Sequence, residues 1–380
     1  MAEVTFWSAL AAVAYVYVGY PLVVFALSRL RPQPVRQGPI TPTVSFLIAA
    51  YNEAPVIRAK LDNTLALDYP RERLEVVVVS DGSTDGTNEI VETEYAGRVT
   101  LLELGGRQGK TVGQNRGAEM ARGDILVFSD ATTMYQPQAL KALVRNYADP
   151  QVGLVTGQVL YGLETGAAAD RGRAAYWSYE TFLRDSESLF HSVLGSAGCV
   201  YSLRRTLYTP LPADIISDVC QTVKVVQQGY RAVVDNDALV YEPAESRAID
   251  EELERRARVI ARGLRGKWYL RDFFHPLRHP WFCWQVLSHR ILRWAVPLFL
   301  LVALGANLFL LDRPFYLLAF LAQLTFYGAA LAGWLLERRH VRVRVLMVPL
   351  YFCLVNVAPL LALRSLLRGE RKVVWETGRA

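Results

Sequence analysis

VVVVSDGSTDGT, residues 76–87, sets a run of valines directly before Ser80 and Asp81. A continuous apolar run closed by turn-forming residues reads as a strand of a parallel sheet buried on both faces. ILVFSDATT, residues 125–133, repeats the pattern and puts Asp130 at the end of a second such strand. Upstream, VSFLIAAYNE, residues 44–53, is a third: an apolar strand from Val44 to Ala49 that ends in Tyr51, Asn52 and Glu53 and then enters a helical pattern. Ligands of an open α/β sheet collect at the carboxyl ends of its strands, so the ends of all three strands are predicted to share one cleft. Between Asp81 and Asp130 lies GGRQGKTVGQNRGAEMARGD, residues 105–124. Its glycines leave backbone amides free, and Arg107 and Lys110 add positive charge, as a diphosphate site needs. Any one of these pieces alone reads as a plain turn. Their conjunction points to a nucleotide and metal pocket.

Composition adds a membrane. The chain has 380 residues, 52% hydrophobic and only 21% charged, which is apolar for a wholly soluble protein. Residues 5–27 carry no charge and are long enough to cross a bilayer core of about 30 Å. They lack the preceding positive charge and small-residue cleavage site of a signal peptide, which predicts a retained anchor. Two further spans are expected at about 291–311 and 314–336. Arg29, Arg31 and Arg36, then His289, Arg290 and Arg293, then Arg338, Arg339, Arg342 and Arg344 flank these spans and mark the cytoplasmic side. A fourth apolar stretch, about 345–363, contains Pro349, Asn356 and Pro359 and precedes a basic tail. It is predicted to be interfacial or re-entrant, leaving the tail in the cytoplasm. The net charge of +6 sits mostly beside these spans, where it attracts anionic lipid, and no nucleic-acid motif is present. Cys199, Cys220, Cys283 and Cys353 have neither metal-ligand nor disulfide spacing.

The motifs Tyr51-Asn52-Glu53, Asp81-Gly82-Ser83-Thr84-Asp85, Gly109-Lys110, Asp130-Ala131-Thr132, GSAGCVYSLRR from Gly195, and Ile216-Ser217-Asp218 follow in an order that resembles family 2 glycosyltransferases. These are inverting enzymes of GT-A fold that use nucleotide-activated sugars, and the match covers roughly residues 42–270. The resemblance implies an α/β, Rossmann-like GT-A domain with transmembrane and interfacial helices. Five parts are expected: an N-terminal helix and linker (1–39), the catalytic domain (40–250), interfacial helices (251–290), placed at about Asp250 to Arg271 and Trp281 to Ser288, two spans (291–336) and a membrane-associated segment with a cytoplasmic tail (337–380).

The same resemblance assigns roles. Ala49, Tyr51, Glu53 and Asp81 would meet the nucleotide, with Asp81 at the base; Lys110 would meet the diphosphate and Asp130 the metal. Oxygen-only coordination suits Mg2+ or Mn2+. Asp218 would take the proton of the acceptor hydroxyl. Thr132, Ser217, Ala197 and Ser80 occupy places that are often acidic in the family. Arg255 and Arg258 fit the polar pair of the Gln-x-x-Arg-Trp element of processive members, with Val259 replacing the Trp, and would contact the donor diphosphate. The tail Trp375-Glu376-Thr377-Gly378-Arg379 is similar to the Trp-Gly-Thr-Ser-Gly-Arg type of gating motif in hyaluronan synthases, one residue shorter, so Trp375 and Arg379 are expected to close over the donor. The expected partners are a UDP-sugar, a glycan or lipid-linked acceptor and membrane lipid, at the inner or plasma membrane with the catalytic domain cytoplasmic. A processive polysaccharide synthase, a nucleotidyltransferase and a non-catalytic subunit that binds nucleotide sugar remain as alternatives.

Overall fold

The computed structural model describes residues 1–161, 168–243, 249–273, 278–339, 341 and 343–370. Trp375 and Arg379 lie outside them.

The predicted strands form. β1 (Val44–Ala50), β2 (Leu74–Ser80), β3 (Thr100–Glu103) and β4 (Ile125–Asp130) are parallel, and four more join them: β5 (Met134–Tyr135), β6 (Val152–Tyr161), β7 (Tyr201–Arg204) and β8 (Arg231–Glu242). The sheet order is β3-β2-β1-β4-β7-β6-β8-β5, with β7 antiparallel to both β4 and β6. Alternate residues of each strand face opposite layers. Phe46, Ile48 and Val78 pack under α2 (Ala54–Leu65) and α3 (Thr87–Glu94), whereas Leu47, Val77 and Val79 face α4 (Lys110–Met120). Each fully buried side chain of this size contributes about 1.5–3 kcal/mol, so two such layers hold the sheet rigid beneath its loops. α5 (Ala139–Arg145) and α6 (Ala168–Phe190) pack against β8, and α7 (Ser217–Gln227) against β6 and β8.

Around this α/β unit the described residues form four helices long and apolar enough to cross a membrane: α1 (Ala2–Leu30), α9 (Pro280–Leu310), α10 (Pro314–Glu337) and α11 (Arg344–Leu367). The sequence predicts a separate interfacial helix at 281–288, but Pro280–Gln285 runs through a π turn, Val286–Ile291, straight into Leu292–Asn307. Residues 286–291 contain neither Gly nor Pro, so nothing there ends the helix. The 345–363 segment is one unbroken 24-residue helix that keeps Pro349 and Pro359 inside it, rather than a stretch that turns back on itself.

Helix α8 (Ile249–Tyr269) ties the two parts together. Near its start, Asp250 accepts hydrogen bonds from Trp334 Nε1 (3.1 Å) and Arg338 Nη2 (2.8 Å) at the end of α10. Near its far end, Arg265 donates to the carbonyl of Glu370, just past α11. Thus α11 packs along α8, whose start is tied to the end of α10 and whose far end is tied to the residues just past α11.

Candidate active site

Strand register puts the motif residues at one edge. Ala49 is paired with Asp130 across β1 and β4, and Ala50 with Ser80 across β1 and β2, so Asp81 and Asp130 leave the sheet on either side of the β1 end. The loops there interlock. Asn52 adopts a left-handed backbone, φ 51°, while its side chain accepts from Thr84 N–H (2.8 Å) and its own N–H donates to Ser83 Oγ (3.1 Å). Gly82 has φ 75°, and a Cβ there would stand 2.8 Å from the Gly106 carbonyl carbon; only glycine lets the two loops meet.

Asp81 is buried, and its carboxylate accepts from the backbone amides of Gln108 (2.6 Å) and Gly109 (3.0 Å). It therefore orders the glycine loop as well as facing the cleft. Tyr51 presents its ring to the Arg107 guanidinium, 3.6 Å from the ring centroid, a cation–π stack that builds a flat wall beside Asp81. Glu53 is buried at the start of α2, where its N–H donates to Thr87 Oγ1 (2.9 Å). Ala49 is a half-buried strand residue whose small side chain leaves the cleft floor low.

Lys110 opens α4 and binds Asp130 with its ammonium, which also donates to the Gly198 carbonyl (3.2 Å). Burial works to lower the Lys110 pKa, but the Asp130 charge and hydrogen bond more than reverse it and hold the lysine above its ordinary value. Asp130 is the more open partner, 37% exposed against 23% for Lys110. Asp218 stands in the first turn of α7, on the other side of Gly198: a Cβ at Gly198 would be 3.0 Å from Asp218 Oδ2. Burial raises the Asp218 pKa, against the lowering pull of Lys110, Arg262 and Arg290. Asp130, Lys110 and Asp218 thus meet around one glycine.

The structure adds residues that no motif marks. Glu242, at the end of β8, accepts a hydrogen bond from Thr133 Oγ1, and burial together with Asp130 raises its pKa. Lys60 is fully buried beneath the 130–133 loop, where its ammonium donates to Ser129 Oγ (2.8 Å) and the Thr133 carbonyl (2.5 Å) and lies over the Tyr135 ring. Arg262 docks α8 on the site by donating to Thr111 Oγ1 (3.2 Å) and the Ile215 carbonyl (3.1 Å), and Asp218 supports its charge against burial. Of the predicted arginines, Arg255 is paired with Glu252 on its own helix (2.8 Å), and Arg258 lies beside Arg262. Among the described residues no three His, Cys, Asp or Glu side chains form a metal-binding group. A divalent cation bound here would have to be held by fewer protein carboxylates, as Mg2+ allows when substrate phosphates and waters complete its shell.

Residues 45–209 match the family model described as "Glycosyl transferase family 2". Glycosyltransferase AglE of Haloferax volcanii is 30% identical over 225 residues, covering 57% of this chain and 72% of AglE. Poly-beta-1,6-N-acetyl-D-glucosamine synthase of Staphylococcus aureus is 27% identical over 194 residues, and the match spans only about half of each protein, 50% of this chain and 47% of the synthase. Among solved structures, the mannosyltransferase PcManGT from Pyrobaculum calidifontis, in complex with GDP-Man and Mn2+, superposes with a TM-score of 0.71 at 25% identity. That superposition covers 97% of this chain and 100% of PcManGT, membrane-compatible helices included. With its motifs in family order on a GT-A sheet, the chain is a glycosyltransferase and belongs to glycosyl transferase family 2.

Proposed function

We propose that this enzyme is a membrane-bound inverting transferase that moves a sugar from a nucleoside diphosphate sugar to a glycan or lipid-linked acceptor. The observation that carries this reading is the meeting of Lys110, Asp130 and Asp218 around Gly198. A cation able to meet a diphosphate and a carboxylate able to meet a metal then stand next to a carboxylate able to act as base. Asp81 and Tyr51 would hold the nucleoside, Lys110 the diphosphate, with Arg258 and Arg255 nearest the leaving group on α8. In the reaction the acceptor oxygen bonds to the anomeric carbon as that carbon's bond to the phosphate oxygen breaks. The acceptor proton passes to Asp218, and the nucleoside diphosphate departs with the bonding electrons. Mg2+ or Mn2+ at Asp130, when bound, would neutralise charge on the departing diphosphate.

Helix α11 supports a cytoplasmic tail. It packs along α8, a helix bearing ten Asp, Glu, Lys and Arg residues between Asp250 and Lys267, and a helix so charged belongs at the membrane surface and not in its core. A partner packed along it, and tied at its far end by Arg265, lies at the same level. The donor's base is the open choice: the sequence predicts uridine, and PcManGT was solved with GDP-Man. A screen of UDP- and GDP-sugars with purified full-length protein and Mn2+, reading free nucleotide released with and without acceptor, tests the function. Release from no donor would refute it.

A further inference from the structure

Two cavities flank α11. One, about 250 Å³, lies between the start of α7 and the membrane-facing helices; Ile216 and Val219, on either side of Asp218 in sequence, line it. Its other walls include Arg255, Arg256, Lys267, Arg290 and Trp294, and among the described residues no carboxylate does. Arg256 is tied to Glu252 (2.6 Å), whereas among the described residues Lys267 and Arg290 form no salt bridge, Arg290 acting on Asp218 and Glu180 only at longer range. The Lys267 ammonium and Arg290 Nε are buried with no hydrogen-bond partner among the described residues, and Lys267 has only the Trp294 ring, 4.1 Å away. Burial, and then Arg290, hold the Lys267 pKa well below its ordinary value. A buried ammonium and a guanidinium whose Nε is buried, both turned on one space, are costly to hold there unless an anion joins them.

The second cavity, about 400 Å³, follows the same helices onward. Arg293 and Trp294 of α9 belong to the basic cavity, and Pro297, Leu300 and Leu301, one and two turns further, line the second. On α11 the basic cavity takes Val355, Ala358 and Pro359, and the second takes Cys353, Val357 and Leu360. The second lining is mostly apolar; of its polar groups, the Asn356 amide donates to the Phe352 carbonyl (2.8 Å), the Tyr327 hydroxyl accepts from Gln323 (2.8 Å) and Trp334 Nε1 donates to Asp250 (3.1 Å). A charged end beside Asp218 and an apolar end between α9, α10 and α11 match one kind of molecule.

We propose that these cavities hold a lipid-linked acceptor, its phosphate or diphosphate on Lys267 and Arg290 and its hydrocarbon chain in the apolar cavity. The site deepens the transferase reading and rests on it for the acceptor role. The basic cavity then fixes the distance from membrane to Asp218, since the phosphate marks where the lipid ends and the glycosyl-accepting head begins.

The test is a calorimetric titration of the full-length protein in nonionic detergent, without nucleotide sugar, using farnesyl phosphate, farnesol and inorganic phosphate. Farnesyl phosphate should bind about tenfold or more tighter than either of the others, because only it meets both cavities. Lys267→Gln and Arg290→Gln should each weaken it about tenfold, with Lys267→Arg restoring affinity. Equal binding of farnesol would make the site a plain apolar slot, and equal binding of inorganic phosphate a soluble-anion site; either overturns the proposal. So would undiminished affinity in both glutamine variants. The three-ligand comparison needs no variant, so a substitution that fails to fold does not blunt it. Because no donor is present, failure here is distinct from failure of the transferase function, which would show as no nucleotide release by the wild type from any donor.

Discussion

At the residue scale, the pairing of Lys110 with Asp130 means that a cation already answers the carboxylate expected to hold the metal. Asp130→Asn should abolish metal-dependent donor binding, since a neutral amide cannot offset the cation's charge. Nucleotide titrations with and without Mn2+ would show it, and unchanged metal dependence would remove Asp130 from the site. Asp218→Asn should leave donor affinity nearly intact while lowering turnover by roughly 10²-fold or more. Because burial raises the Asp218 pKa, the wild-type rate should fall on acidification at a higher pH than an ordinary aspartate would give, the base being active only when ionised. Lys60 offers a separate test. Burial pushes its pKa down to about 7, whereas an unfolded lysine titrates near 10.4. Below pH 7 both states are protonated; above it the folded state sheds the proton first, so the unfolded state binds more protons and stability rises with pH. Wild type minus Lys60→Met should show a melting temperature that climbs from pH 7 to 9, and a flat difference would refute the shift. Asp81, Asp130 and Asp218 were legible because each ends a strand or starts a helix inside a motif. Lys60 and Glu242 were not: a single lysine in an amphipathic helix, or a glutamate closing a strand, carries no local signal, and only the folded sheet brings either beneath Asp130.

At the scale of elements, α8 carries the coupling between cleft and membrane. Its limits were nearly legible, about Asp250 to Arg271 expected and Ile249–Tyr269 observed, because its charge pattern is strongly amphipathic. The role of Arg262 was hidden, since a basic helix face looks the same whether solvated or docked. Arg258→Ala should lower turnover at saturating donor more than Arg255→Ala, as Arg255 is already engaged by Glu252. Equal, small effects on kcat would return both to a solvated face. Arg262→Ala removes hydrogen bonds to Thr111 and Ile215, and should lower both kcat and thermal stability, the latter by about 1–3 kcal/mol. The continuous α9 escaped the sequence because aromatic and basic residues at 281–290 suit an interfacial helix as well as the first turns of a longer one.

At the scale of the whole molecule, the order of helices sets the side on which each loop lies. If α11 stays at the surface with α8, Ala380 is cytoplasmic. A cysteine placed at Ala380, in a variant lacking the four native cysteines, should resist a membrane-impermeant reagent in intact cells and react after lysis. Labelling in intact cells would instead mean that α11 crosses. The contact between Arg265 and the Glu370 carbonyl carries a further consequence, one of tethering. Arg265 is one turn from Arg262, which touches the first turn of α4 beside Lys110, so residues 371–380 start their course close to the donor loop. The stretch from Glu370 to Arg379 spans at most about 35 Å even fully extended, and attachment within such a radius gives an effective concentration in the millimolar range. Contacts from Trp375 or Arg379 far too weak to be measured with a free peptide would then suffice to cover a bound nucleotide, and the tail added back in trans should rescue a truncated enzyme only at millimolar concentrations.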